Sequence, residues 1–561
     1  MATLQTSQWL MDKTGASSDG GMVVAKQEEA ALAGVKMLAD GGNAVDAAVA
    51  AAFVMNVMEP YNTSIGGAGY MIFRDADGAA RTIDFSNRAP RRMTPEAHTS
   101  RTTVAFKGGL AAMVPGTVGG LTAALERFGT LKLAHVLEPA IDLAENGMPL
   151  SWVLALRLVQ ELNGIRANPK SAEIFLVDGD PGMAHGATTI RQTDLARTLR
   201  LIAEHGAAGF YTGPVAREIV DFVQAQGGLL EMADMAAYEP TIVDALRSSF
   251  GDYTVLTGPL PCPGLMTVQG LKILEGFDLA SWGHNSVASL HVMAEAYRLA
   301  FADRDAYFGD PAFGDVPVDL LLSDDYIARR RAQIDLNQAL TEVRPGDVGV
   351  APLGKPSSAG GTTQISVVDA AGNAVSMTHT LIGGWSGLGV AGNSGVVMNC
   401  AAQWFDPTPG APNSVSPGKR PVSNMTPLIV ERENRAVLAV GAPGSRRITN
   451  AVSQVVLNTL VYGMAVQPAI SAPRIDLSPG YIVADDRIDA SVLDGLRALG
   501  HRVDSVHEFI NAGGAAAGYR GYFARPAAVF VDAAGIRHGG DYPFLEGAAI
   551  GVGKGLITRE S

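Results

Sequence analysis

The stretch AGGTTQISVVDAAGNAVSMTHT, running from Ala359 to Thr380, decides how this chain is read. It opens on Gly360-Gly361 and Thr362-Thr363, then alternates through Gln364, Ile365, Ser366, Val367 and Val368 as a strand does. Asp369-Ala370-Ala371-Gly372-Asn373 is turn chemistry, and Ala374 to Thr380 alternates again, so the pattern predicts a hairpin. A threonine pair thus stands where a flexible loop enters a central strand.

A threonine hydroxyl is a poor nucleophile until a base takes its proton. The residue's own α-amino group can be that base, but only when the threonine is a chain terminus. Thr362 lies far from both ends of the sequence, so this chemistry requires a cut between Gly361 and Thr362. Glycine suits the cut, because it has no Cβ, tolerates strained backbone angles and leaves its carbonyl open to the neighbouring hydroxyl. Within this window alone, a β-branched pair at a strand start is the simpler reading.

Working outward, Gly21 to Ala25 reads as a strand, and Glu28 to Asp40 as a helix closed by Gly41-Gly42. The alanine-rich run after Asn43 predicts a tightly packed helix, and Ser64 to Ile72 a glycine turn into a strand. Thr82 to Phe85 is a further strand, followed by Ser86-Asn87-Arg88. Residues 91 to 330 read mostly as helices with short turns, among them His291 to Phe301, which runs on into Ala302-Asp303-Arg304-Asp305. Residues 333 to 358 are punctuated by proline and glycine, as an accessible connecting loop should be. Strands cluster near both ends, and no linker divides the chain.

Bulk composition narrows the function classes. Of the 561 residues, 47% are hydrophobic and 18% charged, the balance of a compact globular chain. The formal charge of −13 disfavours nucleic acid and acidic membrane surfaces as partners. Cys262 and Cys400 form neither a disulfide framework nor a metal pattern, and no phosphate-loop or H-E-x-x-H spacing occurs, so no metal and no cofactor are expected. No apolar run approaches the ~20 residues of a membrane helix. The first twenty residues lack a basic and then an apolar signal region, so a cytoplasmic protein is expected.

Two long motifs carry a resemblance. Thr362-Thr363-Gln364-Ile365-Ser366-Val367-Val368-Asp369 resembles the T-T-x-x-S-V-V-D segment that begins the small subunit of γ-glutamyltranspeptidases after self-cleavage. The run GGNAVDAAVAAAF…EP…S-x-GGxGYM, from Gly41 to Met71, resembles that family's N-terminal signature. The resemblance extends from about Gly21 to Gly539-Gly540-Asp541. It implies an α/β (α+β) fold of the N-terminal-nucleophile hydrolase type, a four-layer αββα sandwich. It also implies a precursor that cuts itself into residues 1–361 and 362–561, roughly 38 and 20 kDa, which stay together as a heterodimer within one intertwined domain. Further homo-oligomerisation is left open.

Roles follow from the same resemblance, position by position. Thr362 is the expected nucleophile and Thr380 the helper that bonds its hydroxyl, although spacing alone favours an ordinary strand threonine at Thr380. Gly444-Ser445 matches the turn whose backbone N–H groups form the oxyanion hole; the second position is usually glycine, so Ser445 has to fit with a Cβ, and a Pro-Gly-Ser turn without that duty is the competing reading. Ser423 and Asn424 match a Ser-Ser pair that contacts the substrate carboxylate.

Three positions depart from the pattern. Ser86 occupies the slot of an arginine that grips the glutamyl α-carboxylate, and Arg88 is either its displaced substitute or a surface arginine. Trp404 stands where a carboxylate holds the substrate ammonium, and Ile382 replaces an asparagine. A charged glutamyl headgroup would be poorly compensated there. The expected activity is therefore that of an autoprocessing amidohydrolase or acyltransferase acting on a small-molecule amide with a non-glutamyl, less polar acyl group. The alternatives are a γ-glutamyltranspeptidase or glutathione hydrolase, and a catalytically silent binding protein of the same fold. Trp385, Trp404 and Phe405 are candidate pocket walls or core.

Overall fold

The computed structural model describes residues 13–96, 108–182, 188–349, 361–385, 387–508, 521–553 and 557–558. The end of the expected loop, residues 350–358, lies outside the described residues, as does Gly360.

The hairpin that opens the reading is the centre of the fold. Thr362–Asp369 pairs antiparallel with Ala374–Thr380, in a register that sets Thr362 opposite Thr380. The turn closes as its residues predict: Gly372 takes a φ of +93°, and the Asp369 carboxylate accepts from the Asn373 N–H at 3.0 Å. Every residue of both strands is buried, so neighbours flank them on both sides. Their eight-stranded sheet runs, in space, Ile557–Thr558, Ala548–Val552, Gly21–Ala25, Thr362–Asp369, Ala374–Thr380, Ala68–Arg74, Ala80–Phe85, Thr241–Asp244. A seven-stranded antiparallel sheet faces it: Ala16–Ser18, Arg537–Asp541, Ala527–Val531, Arg435–Gly441, Leu428–Arg432, Tyr253–Thr257, Leu246–Phe250. Each sheet thus combines strands from before and after Thr362.

Helices cover both outer faces, giving the four-layer αββα sandwich. On one side, helix Ala44–Met58 is buried along its whole length, and alanines let it lie close against Ile365 and Val367 of the Thr362 strand. Its start is fixed by a capping box between Asn43 and Asp46. On the other side, Gly264–Leu274, Val287–Tyr307 and Ile448–Leu460 pack on the second sheet through Leu428, Val430, Leu438 and Val440. Between the sheets a thin apolar layer, including Val24, Ile72, Val368, Ile429, Ala439 and Val529, holds the two together.

Besides the short pair Met148–Pro149 and Thr189–Ile190, the stretch read as mostly helical contributes three strands to the two large sheets, Thr241–Asp244, Leu246–Phe250 and Tyr253–Thr257. Two of them end a sheet row and carry polar, exposed residues such as Asp244, Arg247 and Ser249. Edge position, not apolar alternation, decides them.

Candidate active site

Alternation divides the Thr362 strand into two faces. Ile365 and Val367 turn to the helices, whereas Gln364 and Ser366 turn to the second sheet, where the Ser366 hydroxyl donates to Ala527 O at 3.1 Å. Thr362 shares the second face. Its hydroxyl is buried and donates to Thr380 Oγ1 at 3.2 Å. The Thr380 hydroxyl also accepts from the Ile382 N–H at 2.8 Å and donates to the carbonyl of Gly361. One hydroxyl therefore touches the expected nucleophile and polarises the carbonyl of the peptide bond that precedes it. Below this pair, the Gln364 side chain receives the Thr378 hydroxyl and donates to Ser366 and Ser376 at 3.1 Å each.

Gly444 and Ser445 follow the strand Arg435–Gly441 of the facing sheet. A Cβ on Gly441 would collide with the Gln364 carboxamide at 2.1 Å, so the end of that strand and the start of the Thr362 strand open at the same rim. Gly444 has a φ of +150° and no room for a side chain, since a Cβ would lie 2.4 Å from that of Ala524. Ser445 has a φ of +61°, the left-handed conformation its glycine counterpart would favour. The turn is clamped from behind: Arg446 forms a fork on Asp305 at 2.9 and 2.8 Å, and the Arg525 N–H donates to Pro443 O at 2.9 Å.

Ser423 and Asn424 are held by Arg304, the arginine of the Ala302-Asp303-Arg304-Asp305 segment. Its guanidinium donates to Ser423 O at 3.1 Å and to Asn424 Oδ1 at 2.8 Å. This fixes the amide so that its buried Nδ2 is the group left to donate, and it has no partner among the described residues. Trp404 is buried with Tyr70, Ile382, Phe405 and Met425 in one apolar cluster, whereas Trp385 packs edge-on against Phe175 in the helical-side core, ring centres 4.6 Å apart.

Ser86 borders a row of residues between the two sheets. Cross-strand register puts Gln364, Thr378, Tyr70 and Asp84 in one row on the inter-sheet face. Ser86 hydrogen-bonds Tyr70 Oη at 2.7 Å and donates to the Asp84 carboxylate. Arg88 turns away to the edge strand, donating to Thr241 Oγ1 at 3.1 Å and Glu239 O at 3.3 Å. The guanidinium that reaches the Ser86 neighbourhood is that of Arg420, which contacts Asp84 at 2.7 Å and forks onto Asp310. Burial works against the charges of both partners, yet their mutual bonding outweighs it: Arg420 is shifted up, and Asp310 lies below the usual carboxylate range. Sequence reasoning missed Arg420, although it stands in the same proline-bounded segment as Ser423 and Asn424.

His379 points to the opposite face from Thr380. The Thr63 hydroxyl donates to Asn56 Oδ1 at 2.9 Å and accepts from His379 Nδ1 at 2.8 Å, and burial pushes the imidazole down to about 3, so it stays neutral. Among the described residues no cluster of His, Cys, Asp and Glu could hold a metal ion, and no helix is long and apolar enough to cross a membrane.

Comparison with known proteins covers most of the chain. The sequence profile described as Gamma-glutamyltranspeptidase matches residues 30–521. The chain is 36% identical over 511 residues to Acylase ACY 1 proenzyme of Pseudomonas sp. (strain SE83), covering 89% of this chain and 90% of that protein. It is 36% identical over 509 residues to the Glutathione hydrolase proenzyme of Escherichia coli (strain K12), with 86% of each covered. Cephalosporin acylase from Bacillus halodurans has a crystal structure that superposes with a TM-score of 0.87 at 27% identity, over 98% of this chain and 99% of that one.

Proposed function

Since the chain belongs to the gamma-glutamyltranspeptidase family of hydrolases and acyltransferases, we propose that it is an autoprocessing amide hydrolase whose nucleophile is Thr362. The observation that carries this reading is the Thr380 hydroxyl, in contact with both the Thr362 hydroxyl and the Gly361 carbonyl. In the precursor, Thr362 Oγ attacks the Gly361 carbonyl carbon, the Gly361–Thr362 C–N bond breaks, and the nitrogen takes up a proton. Water then hydrolyses the resulting ester, leaving a carboxylate on Gly361 and a free amine and hydroxyl on Thr362. In the mature enzyme that amine takes the hydroxyl proton as Oγ attacks a substrate amide, and delivers it to the departing amine. Water, or a second amine, releases the acyl group from the ester. Gly444 and Ser445 supply backbone donors to the oxyanion. Residues 1–361 and 362–561 remain a heterodimer because both sheets combine strands of each.

The acyl group is uncharged and apolar in this proposal. Ile382, Trp404, Phe405 and Met425 share one cluster, and the nearby Arg420 is already neutralised by Asp84 and Asp310. Asn424 Nδ2 and Ser423 remain to orient a polar substituent, and Arg88, on its edge strand, plays no part. Asn424 also favours a second reading, γ-glutamyl hydrolysis, which retains the donor but lacks the paired charges. The deciding experiment compares matured protein with the Thr362→Ala precursor on phenylacetyl and γ-glutamyl 4-nitroanilides. Faster release from the phenylacetyl compound by matured protein alone supports the proposal; preference for the γ-glutamyl compound replaces it with the second reading.

A further inference from the structure

The strands Leu428–Arg432 and Arg435–Gly441 form one hairpin, in which Leu428 pairs with Val440. The segment that enters it, with Ser423 and Asn424, and the segment that leaves it, with Gly444 and Ser445, therefore emerge side by side at one end. Residues 421–427 and 442–444 lie outside strands and helices, so no regular backbone ladder sets one segment against the other. Side chains at the end of helix Val287–Tyr307 do so instead. That helix carries Arg304 and Asp305 in consecutive positions.

Asp305 Oδ1 accepts from Arg304 Nη1 at 2.8 Å and from Arg446 Nη1 at 2.9 Å, and Oδ2 accepts from Arg446 Nη2 at 2.8 Å. Arg304 reaches forward through Nη2 to Ser423 O and Asn424 Oδ1. Arg446 is the residue after Ser445, and its guanidinium lies over Phe301, 4.8 Å from the ring centre. A continuous chain of contacts thus runs from Asn424 through Arg304, Asp305 and Arg446 to the turn at Gly444 and Ser445. The side chains of Arg304 and Arg446 are 7% and 8% exposed, so two guanidiniums are buried against a single carboxylate. Burial and the charge of Arg446 bring Arg304 down to about 10, which leaves it protonated at neutral pH. Burial also acts against the charge of Asp305, but its bonds to Arg446 and the charges of both arginines outweigh it and hold the carboxyl below the usual range. Take that charge away and two buried cations face each other across the gap between the segments. Behind Asp305 and Arg446 lies an open cavity of about 370 Å³, bordered by Val343, Leu477 and Pro479, so from this side the turn is held by hydrogen bonds rather than by packed core.

From this arrangement we infer that Asp305 is a positioning residue that ties the oxyanion turn to the substrate-contacting pair, so that acyl-group binding and oxyanion stabilisation share one support. The inference rests on the proposed function, in which Asn424 Nδ2 meets a polar substituent of the acyl group and the Gly444 and Ser445 N–H groups meet the oxyanion. Arg446 acts on the turn, Arg304 on Asn424, and Asp305 on both.

The test uses matured full-length enzyme and two compounds. Phenylacetyl 4-nitroanilide offers Asn424 no acceptor on its acyl group, whereas γ-glutamyl 4-nitroanilide offers its α-carboxylate. Binding of the second is read as KM, or as the inhibition constant against the first where it is not turned over. Rates are taken per mole of cleaved enzyme, well below the melting temperature. In Asp305→Asn the phenylacetyl kcat should fall roughly a hundredfold, the scale of a misplaced site. Its γ-glutamyl binding should weaken roughly threefold to tenfold, the scale of one hydrogen bond. Arg446→Met keeps the aliphatic stem over Phe301; its kcat should fall at least about tenfold while γ-glutamyl binding stays within about twofold of wild type. Asp305→Asn/Asn424→Ala should bind the γ-glutamyl compound no more weakly than Asn424→Ala, because both changes remove the same contact. Wild-type kcat or unchanged γ-glutamyl binding in Asp305→Asn overturns the inference, as does additive loss in the double variant or a wild type that binds no γ-glutamyl compound. If Asp305→Asn fails to mature, the split between kcat and binding in Arg446→Met decides, and its absence overturns the inference. These outcomes leave Thr362 untouched. A wild-type protein that stays uncut and turns over neither compound overturns the underlying reading, and the inference with it.

Discussion

Replacing Thr380 with valine keeps the shape of the side chain and removes the hydroxyl that links the nucleophile to the bond it attacks. Three contacts go at once: acceptance from Thr362 at 3.2 Å, acceptance from the Ile382 N–H at 2.8 Å, and donation to the Gly361 carbonyl. The last carries the kinetic effect, because charge develops on that oxygen as the Thr362 hydroxyl adds. Losing one donor to a developing oxyanion costs about 2.7–4 kcal/mol, a factor of roughly 10²–10³ in rate. The stranded Ile382 N–H adds about 1–3 kcal/mol of destabilisation. The assay is a time course of precursor conversion on a denaturing gel, with Thr380→Ser as the control that restores the hydroxyl. Thr380→Val should convert at least a hundredfold more slowly, with Thr380→Ser near wild type. Conversion of folded Thr380→Val at the wild-type rate would refute the polarising role.

Other expectations follow from single contacts. Thr362→Ala should leave one intact band of 58.4 kDa without amidase activity, and a processed or active variant would remove the nucleophile assignment. Gly444→Ala should abolish turnover and cost at least about 2 kcal/mol in stability, since its Cβ would overlap Ala524 at a φ of +150°; wild-type kcat would show that the turn is not an oxyanion site. Ser445→Gly removes left-handed strain of about 1 kcal/mol, partly offset by chain entropy, so thermal unfolding should show a melting temperature equal to or slightly above wild type. Asp310 has a lowered pKa in the fold, so its bond to Arg420 stabilises above the unfolded carboxylate value near 4 and is lost as pH falls through the folded value. The melting-temperature gap between wild type and Asp310→Asn should therefore be wide at pH 7 and narrow towards pH 2.5; a constant gap contradicts the ion pair.

Much of the fold was legible because local pattern and tertiary environment agree. The Asp369 to Asn373 turn fixes the hairpin register, and that register alone brings Thr362 opposite Thr380. Helix Ala44–Met58 declares itself through its capping residues and its alanines. The edge strands between Thr241 and Thr257 did not, because half-exposed strands carry polar residues that blur a two-residue period. Within the candidate site, residues near the hairpin were readable, whereas Arg420 was not, since Asp84 lies 336 positions away and nothing local marks their meeting. Arg88 was the natural substitute by proximity in sequence; strand geometry instead turns it to Thr241.

N-terminal sequencing of the smaller fragment of purified, active protein tests the central claim most directly. The account predicts a fragment of roughly 20 kDa that begins Thr-Thr-Gln-Ile, with the α-amine of Thr362 unblocked. Active protein whose small fragment starts at any other residue, or which has no such fragment, would contradict it.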